Sequence, residues 1–473
     1  MRQVVSPRLA PVVGAVVALL LLSPTAVPHT LAGPVRQAEE AFARGRSEAA
    51  LEALEAALAF EPGYAALHPL AAQAALEAAL PERAVDHLRA AEAMLTPDPI
   101  RICQQGLALA MLGDLQGAAD SWETGAAACY DQPDIVRMIA EQALASGDRE
   151  TALDSLERLT VLEPANPTTH LHLGLALATR DPEAAVGSLR LADGLTDGGS
   201  AAAREMMRVI QQASREDDPA FTLASVGQSL GEMGEWRLAA WAFREAITLY
   251  PPYVEARAYY GLALDQSGSD GLAQLQSAAE FSPQNPLPRF FLGIHWRARG
   301  EPQAAVVELL VAAELDPANP SIAAELGGAY EDLGEMTSAL AAFQYATDLA
   351  PRQAGFWRLL AEFSLRNGIQ VREIGIPAAR NAYSLAPADP VACDNLAYGH
   401  YLAGEFALAE RLIHRALELD AARPATQYHL GLLLLELHQG AAAQAALETA
   451  AQLDPEGAIG ELAERTLEGL SHP

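Results

Sequence analysis

The sequence contains no lysine, so all 31 basic residues are arginines, and 61 acidic residues give a net charge of −30. The absence of lysine excludes a phosphate loop ending in Gly-Lys and a Schiff-base lysine. Binding to nucleic acid needs clustered positive charge, which the chain does not have. We therefore expect no nucleic-acid partner, and we interpret the acidic residues as a solvated surface; the alternative is a basic partner attracted to the whole rod.

Cysteines and aromatic residues are also scarce. Aromatics make up 6% of the chain, and the three cysteines, Cys103, Cys129 and Cys393, do not have the spacing of metal ligands. Cys103 lies near the start of one predicted helix and Cys129 near the end of its antiparallel partner, at the same end of the pair. A Cys103–Cys129 disulfide and two separately buried thiols are both open, and Cys393 would stay unpaired.

The first 32 residues have the organisation of a signal peptide. Arg2 and Arg8 precede an uncharged apolar run over residues 11–22, which as a helix would span about 18 Å, short of a hydrocarbon core of about 30 Å. Small residues up to Ala32 suit cleavage before Gly33. We expect a periplasmic or secreted bacterial protein. The alternative is an uncleaved N-terminal helix, which would be its one contact with the membrane.

Prolines recur along the chain at a fixed interval. Pro62 and Pro164 are 102 residues apart, and Pro251 and Pro455 are 204 apart, which are multiples of a period of about 34 residues. A chain of this length is too long for a single compact core, which stops growing at about 250–300 residues. The period therefore indicates an array in which each unit packs on its neighbours.

Within each period the residue types also recur. One copy reads Leu326, Gly327, Tyr330, Ala339, Phe343, Ala346 and Pro351, and another reads Val226, Gly227, Leu230, Ala239, Phe243, Ala246 and Pro251. Large residues three and four apart form one face of a first helix, and the small residue beside them lets a second helix approach closely. Gly147, Gly300, Gly334 and Gly404 mark the turn between the two helices.

These residues resemble the tetratricopeptide repeat, with its W-x2-L-G-x2-Y, A-x3-F and P pattern. The resemblance implies an all-α fold, a right-handed α-solenoid of about twelve helix-turn-helix repeats. Their predicted starts are residues 31, 65, 99, 133, 167, 220, 254, 286, 320, 354, 390 and 424.

The array is interrupted near residues 195–219, where a surplus segment contains an extra amphipathic helix. We expect this helix to pack outside the stack, dividing the chain into a signal peptide (1–32), an N-terminal array (33–194), an irregular linker (195–219), a C-terminal array (220–457) and a capping helix with a tail (458–473). A degenerate sixth repeat is the alternative. A second irregularity, at residues 367–377, is either a tolerated insertion or a functional loop.

The sequence gives no support for catalysis. Residues 227–231 match the G-x-S-x-G pattern of serine hydrolases, but that motif needs a preceding strand and both flanks here are predicted helical. His170 and His172, two residues apart, would point away from each other on a helix. We expect no enzyme activity, no cofactor and no metal site.

The resemblance implies that the concave groove, lined by the first helix of each repeat, binds a peptide or helix of a partner protein. We expect a non-catalytic scaffold that assembles cell-envelope, secretion or polymer-export machinery. The alternative is a binding module for an envelope polysaccharide or other non-protein ligand. Carrying over the inward-facing positions gives the partner-binding residues Phe290, Arg297, Glu331, Asp332, Arg358, Glu362, Arg366, Asp394, Tyr398, Tyr401 and Tyr428.

Overall fold

The computed structural model describes residues 31–129 and 131–471, and in this part of the chain the regular structure is 26 α-helices, with two short helical turns and no strand. The predicted signal peptide lies outside the described residues except for Leu31 and Ala32, where the first helix begins. Among the described helices, none has the length and apolarity to span a bilayer.

The contacts group the chain into two units, residues 1–251 and 252–473. The described part of unit 1 contains six helix pairs and one single helix, α11. The helices are α1 (Ala32–Ala43), α2 (Ser47–Phe60), α3 (Leu67–Glu77), α4 (Pro81–Met94), α5 (Pro99–Met111), α6 (Leu115–Cys129), α7 (Pro133–Ser146), α8 (Arg149–Leu162), α9 (Pro167–Ala178), α10 (Pro182–Leu195), α11 (Ala201–Ala213), α12 (Pro219–Glu232) and α13 (Trp236–Leu249).

Unit 2 contains six further pairs and a final single helix in its described residues. They are α14 (Val254–Gln266), α15 (Leu272–Phe281), α16 (Pro286–Ala298), α17 (Pro302–Leu315), α18 (Pro320–Asp332), α19 (Met336–Leu349), α20 (Ala354–Arg366), α21 (Ile376–Leu385), α22 (Pro390–Leu402), α23 (Phe406–Leu419), α24 (Pro424–Glu436), α25 (Gly440–Leu453) and α26 (Ala458–Ser471). The single helix α26 packs on α25 and α24, at the position predicted for a capping helix.

The helix boundaries follow local sequence signals. Second helices end two residues before the periodic prolines, as at Leu315 before Pro317 and Leu349 before Pro351, because proline cannot continue a helix. Many first helices begin with Asp or Asn followed by proline: at Asn319 the side chain accepts the amide hydrogen of Ser321 at 3.0 Å. The turns use left-handed glycines, including Gly147, Gly300, Gly334 and Gly404.

The two helices of a pair approach closely where a glycine of the first faces a large residue of the second. In seven pairs a Cβ on that glycine would come within 3 Å of the opposing side chain, and the pairs are Gly106–Trp122, Gly174–Leu189, Gly227–Phe243, Gly261–Leu275, Gly293–Leu309, Gly327–Phe343 and Gly431–Leu447. Such contacts are typical of helix pairs whose axes are near the short end of the usual range of about 8–10 Å.

The surplus segment forms helix α11, but its packing differs from the expectation. The expectation that it lies outside the stack is wrong, because α11 contacts α9 and α10 on one side and α12 on the other. Its face of Ala203, Met206, Ile210 and Ala213 is buried, and an apolar face of this width needs cover from both neighbours.

Beyond α11 the chain returns toward earlier repeats of unit 1. Helix α13 contacts α7 and α9, and Arg149 of α8 forms a 2.7 Å ion pair with Glu245 of α13. The division between the two units therefore follows Pro251, one helix pair later than the predicted linker at residues 195–219.

The insertion at residues 367–377 packs into the core. It contains a single π-helical turn, Val371–Gly375, directly before α21, and Ile369, Val371 and Ile374 contact the buried cluster around Phe363. Arg372 donates a hydrogen bond to the carbonyl of Ala403. These contacts favour a tolerated insertion, which is held in place by packing against the neighbouring helices.

A histidine pair in the second repeat of unit 1 contacts Glu55 of the first repeat. The Nδ1 atoms of His68 and His87 lie 3.1 Å apart, and Nε2 of His87 lies 3.3 Å from a carboxylate oxygen of Glu55, which also pairs with Arg83. Two nitrogens at this distance hold one hydrogen between them. Burial and the charge of His87 lower the pKa of His68, against the opposing effect of the Pro62 carbonyl.

We predict that Gly174→Ala lowers the free energy of unfolding by about 1–3 kcal/mol. The new Cβ would lie 2.7 Å from Cγ and 3.1 Å from the backbone nitrogen of Leu189, which is fully buried and has no room to move. Gly187→Ala in the same helix pair is the control, because nothing lies within 4 Å of its Cβ, and alanine should stabilise that helix by about 0.5–1 kcal/mol. Urea titration followed by circular dichroism measures both. Equal effects would contradict the close-approach model.

We also predict that unit 1 loses stability as the pH falls from about 7.5 to about 5.5. The folded pKa of His68 is below its ordinary 6.5, so the stabilisation from neutral His68 is complete above about pH 6.5 and is lost as the pH drops through the folded pKa. Urea midpoints at the two pH values test this against His68→Phe. If the urea midpoint of the variant changes with pH as much as that of the wild type, His68 is not the source of the pH dependence.

Candidate functional site

The candidate site is the first-helix face of unit 2, which we define as the side of the repeats formed by α14, α16, α18, α20, α22 and α24. All eleven predicted partner-binding residues lie on five of these helices. Phe290 and Arg297 are on α16, Glu331 and Asp332 on α18, Arg358, Glu362 and Arg366 on α20, Asp394, Tyr398 and Tyr401 on α22, and Tyr428 on α24.

Most of the predicted charged residues pair with one another across successive first helices. Nε of Arg297 contacts Asp332 at 2.6 Å, and its guanidinium also reaches Glu325 at 2.9 Å. Arg366 pairs with Glu331 at 2.9 Å. Burial alone would lower the pKa of Arg297, but the bond to Asp332 and the charge of Glu325 raise it. These arginines connect adjacent repeats, because each already forms ion pairs with carboxylates of this chain.

Arg358 makes weaker contacts with carboxylates than Arg297 and Arg366 do. It lies 3.7 Å from a carboxylate oxygen of Glu362 and 3.7 Å from one of Asp389, the residue that caps α22. Its buried Nε makes no hydrogen bond to any described residue. Glu362 in turn accepts a hydrogen bond from the amide of Asn395 on the next first helix, at 3.2 Å. The polar connection between repeats therefore continues from α20 to α22.

Asp394 is the one fully buried carboxylate of the predicted set, with 1% of its side chain exposed. Nδ1 of His429 lies 3.0 Å from Oδ1 and 3.2 Å from Oδ2, and Nε of Arg423 lies 3.8 Å from Oδ2. A buried carboxylate needs such partners to offset its desolvation. Asp394 thus joins α22 to α24 and is not itself available to a ligand.

The tyrosine cluster, Tyr398, Tyr401, Tyr428 and His429, lies on α22 and α24. The Tyr398 ring stacks on His429 with centroids 4.1 Å apart and planes 10° apart, and Tyr401 lies nearly parallel to Tyr398 at 5.9 Å. Tyr428 and His429 are 6.1 Å apart. All four side chains are half-buried. The cluster offers rigid aromatic surface at low entropic cost.

Phe290 does not join this group. It packs on Phe291 and on the buried clusters around Leu292 and Leu309, so its role is in the packing of α16. Sequence reasoning missed Arg423, His429 and Glu325. The signal that finds His429 is the period itself, because it follows Asp394 by 35 residues, the same separation as Arg297 and Asp332.

Three other groups with possible chemistry have structural explanations. Ser229 of the G-x-S-x-G match is buried inside α12, where the pattern has no strand before it. His170 is buried and bonds the carbonyl of Pro164 at 2.9 Å, whereas His172 is exposed. Asp265, Asp270 and His295 have donor atoms within 4.8 Å of one another, but His295 bonds Asp265, and Asp270 pairs with Arg299.

The cysteines divide into two environments. Cys103 is fully buried and disulfide-bonded. The Cys129 side chain is outside those described, so the predicted Cys103–Cys129 pairing stays a prediction. Cys393 is a free, buried thiol, and burial together with Asp394 raises its pKa to about 11. It is therefore protonated at neutral pH and a poor nucleophile.

The family comparison agrees with these helix pairs. The tetratricopeptide-repeat family model matches residues 137–200 and 227–286. The repeated pairs, capped starts and close glycine contacts described above support a tetratricopeptide-repeat protein. Repeat proteins of this class bind peptides or other protein partners and are typically non-catalytic scaffolds. No curated protein matches the chain significantly.

Solved structures similar to this chain include tetratricopeptide proteins. YrrB, "a TPR protein with an unusual peptide-binding site", is 16% identical over 40% of this chain and 97% of its own, with a TM-score of 0.33. PilF of Pseudomonas aeruginosa is 16% identical over 45% and 97%, at 0.38. A chain of the APC/C hetero-tetramer Cut9–Hcn1 is 14% identical over 97% and 93%, at 0.42.

We predict that Asp394→Asn lowers the free energy of unfolding by about 1.5–3 kcal/mol, the usual range for a hydrogen bond to a charged group. Removing the charge leaves His429 and Arg423 without their carboxylate. Asp332→Asn is the control, because its exposed ion pair with Arg297 should contribute less than about 1 kcal/mol. Urea unfolding of both variants measures the two changes in free energy of unfolding. An equal loss in both would mean that burial of Asp394 has no energetic consequence.

Proposed function

We propose that this chain is an extracytoplasmic adaptor that binds a segment of a partner protein along the first-helix face of unit 2 and assembles cell-envelope, secretion or polymer-export machinery. The single observation that carries the proposal is the tyrosine cluster, a set of half-buried, mutually packed rings on two adjacent first helices. The signal-peptide pattern of residues 1–32 supports the location. The class of repeat supports protein binding in general.

The tryptophans do not favour the polysaccharide alternative. Sugar binding uses exposed aromatic platforms, but Trp241 is buried, Nε1 of Trp122 bonds the carbonyl of Cys103, and Nε1 of Trp357 bonds that of Pro351. Trp296 packs against the buried clusters of α16 and α17. These rings serve the packing of the repeats.

The function is tested by crosslinking capture from an envelope extract with three forms of the full chain. The forms are wild type, Tyr401→Ala/Tyr428→Ala on the first-helix face, and the control Val307→Ala/Tyr345→Ala, which alters exposed residues of the second helices α17 and α19. We expect a protein that wild type and control both retain and that the double tyrosine variant loses, because it removes the accessible aromatic area.

The captured protein is then purified and titrated against all three forms by calorimetry, with urea midpoints to confirm that each is folded. Equal binding by the double tyrosine variant would place the interface elsewhere. Capture of no protein by any form would contradict the adaptor function, and specific retention of glycan would support the alternative.

A further inference from the structure

The tyrosine cluster presents unsatisfied polar groups as well as aromatic faces. The hydroxyls of Tyr398, Tyr401 and Tyr428 make no hydrogen bond to any residue that the structure describes, while their rings pack on the repeat cores behind them. Two of the rings are nearly parallel, and Tyr401 also lies 6.0 Å from Phe406. The cluster therefore has a fixed geometry with its polar edge toward solvent.

The charge around this cluster is negative. Glu436, the last residue of α24, is exposed and has no ion pair within the described residues. Burial raises the pKa of Tyr401, and the charge of Glu436 raises it further; burial, Tyr428 and Asp394 do the same for Tyr398. Two arginines that contact α22 or the turn after it do not compensate, because Arg423 faces Asp394 and Arg372 pairs with Glu405.

We propose that the tyrosine cluster and Glu436 bind a cationic side chain, arginine or lysine, of the partner polypeptide. This inference rests on the proposed function and names the chemistry of its ligand. The π faces of the tyrosines attract a cation within about 6 Å of the ring centre, and an arginine can also stack flat on them. Glu436 supplies the counter-charge, and the free hydroxyls accept hydrogen bonds from the cation.

The composition of the whole chain favours the same ligand. A net charge of −30 attracts cations over longer distances than direct contact does. A general attraction of this kind does not select a site, so the test must separate the tyrosine cluster from the overall charge. Aromatic substitutions do this, because they leave the net charge unchanged.

The test uses a fluorescein-labelled peptide of glycine and serine with spaced arginines, and its counterpart in which neutral citrulline replaces each arginine. Fluorescence anisotropy at physiological ionic strength gives the dissociation constant for the full chain. We expect Tyr401→Leu/Tyr428→Leu to weaken binding of the arginine peptide about three- to tenfold. Tyr401→Phe should weaken it less than the double variant does, because the ring remains and only one hydroxyl is lost, and Glu436→Gln should weaken it about two- to threefold.

Tyr345→Leu, which removes an exposed tyrosine of α19, is the matched control and should bind as wild type does. The proposal is overturned by equal affinity for the citrulline peptide, by equal losses in the control and the double variant, or by no measurable binding of the arginine peptide. Urea midpoints of each variant separate loss of binding from loss of folding.

The two proposals fail differently. If a partner is captured through the tyrosines but the arginine and citrulline peptides bind alike, the adaptor function stands and the cationic ligand is wrong. If the arginine peptide binds through the tyrosines but no partner is captured, the ligand chemistry stands and the adaptor function is wrong.

Discussion

The close contact between a glycine of one helix and a large side chain of the next is the constraint on which the repeats depend. At Gly293 an added Cβ would lie 2.4 Å from Leu309, and at Gly327 it would lie 2.9 Å from Phe343. Any side chain at either glycine would therefore have to displace the large residue that faces it. This approach buries Leu309 and Phe343 in the pair, and it fixes the spacing at which the following first helix can pack.

The polar connection between successive first helices follows from that spacing. Residues about one period apart, such as Glu331 and Arg366 or Asp394 and His429, come within hydrogen-bond distance because the first helices are neighbours. Arginine suits this role better than lysine, since one guanidinium can reach two carboxylates, as Arg297 does with Glu325 and Asp332. In the described part of this lysine-free chain, arginines such as Arg297 and Arg366 are thus held in fixed contacts with carboxylates.

The sequence predicts what is locally determined. The starts of the twelve helix pairs agree with the structure to within about two residues, because proline, Asx caps and left-handed glycines act over a single turn. The sequence did not predict where the contacts divide, since that depends on α13 meeting α7 and α9, far away along the chain. For the candidate site, the tyrosines were found by their positions on the first helices. The pairing of the arginines was missed because it involves two repeats at once, and a lone histidine such as His429 carries no signal of its own.

The return of α13 to α7 and α9 gives unit 1 a different kind of cooperativity from unit 2. Within the described residues of unit 2, each helix contacts its sequence neighbours and the adjacent first helix, as in a one-dimensional array. Such an array can lose a terminal pair and keep the rest. In unit 1 the contact between α7 and α13 closes a loop of many helices, so releasing one repeat also releases a contact made far along the chain. Unit 1 therefore unfolds more nearly as a whole, whereas unit 2, which carries the tyrosine cluster near its end, can open stepwise.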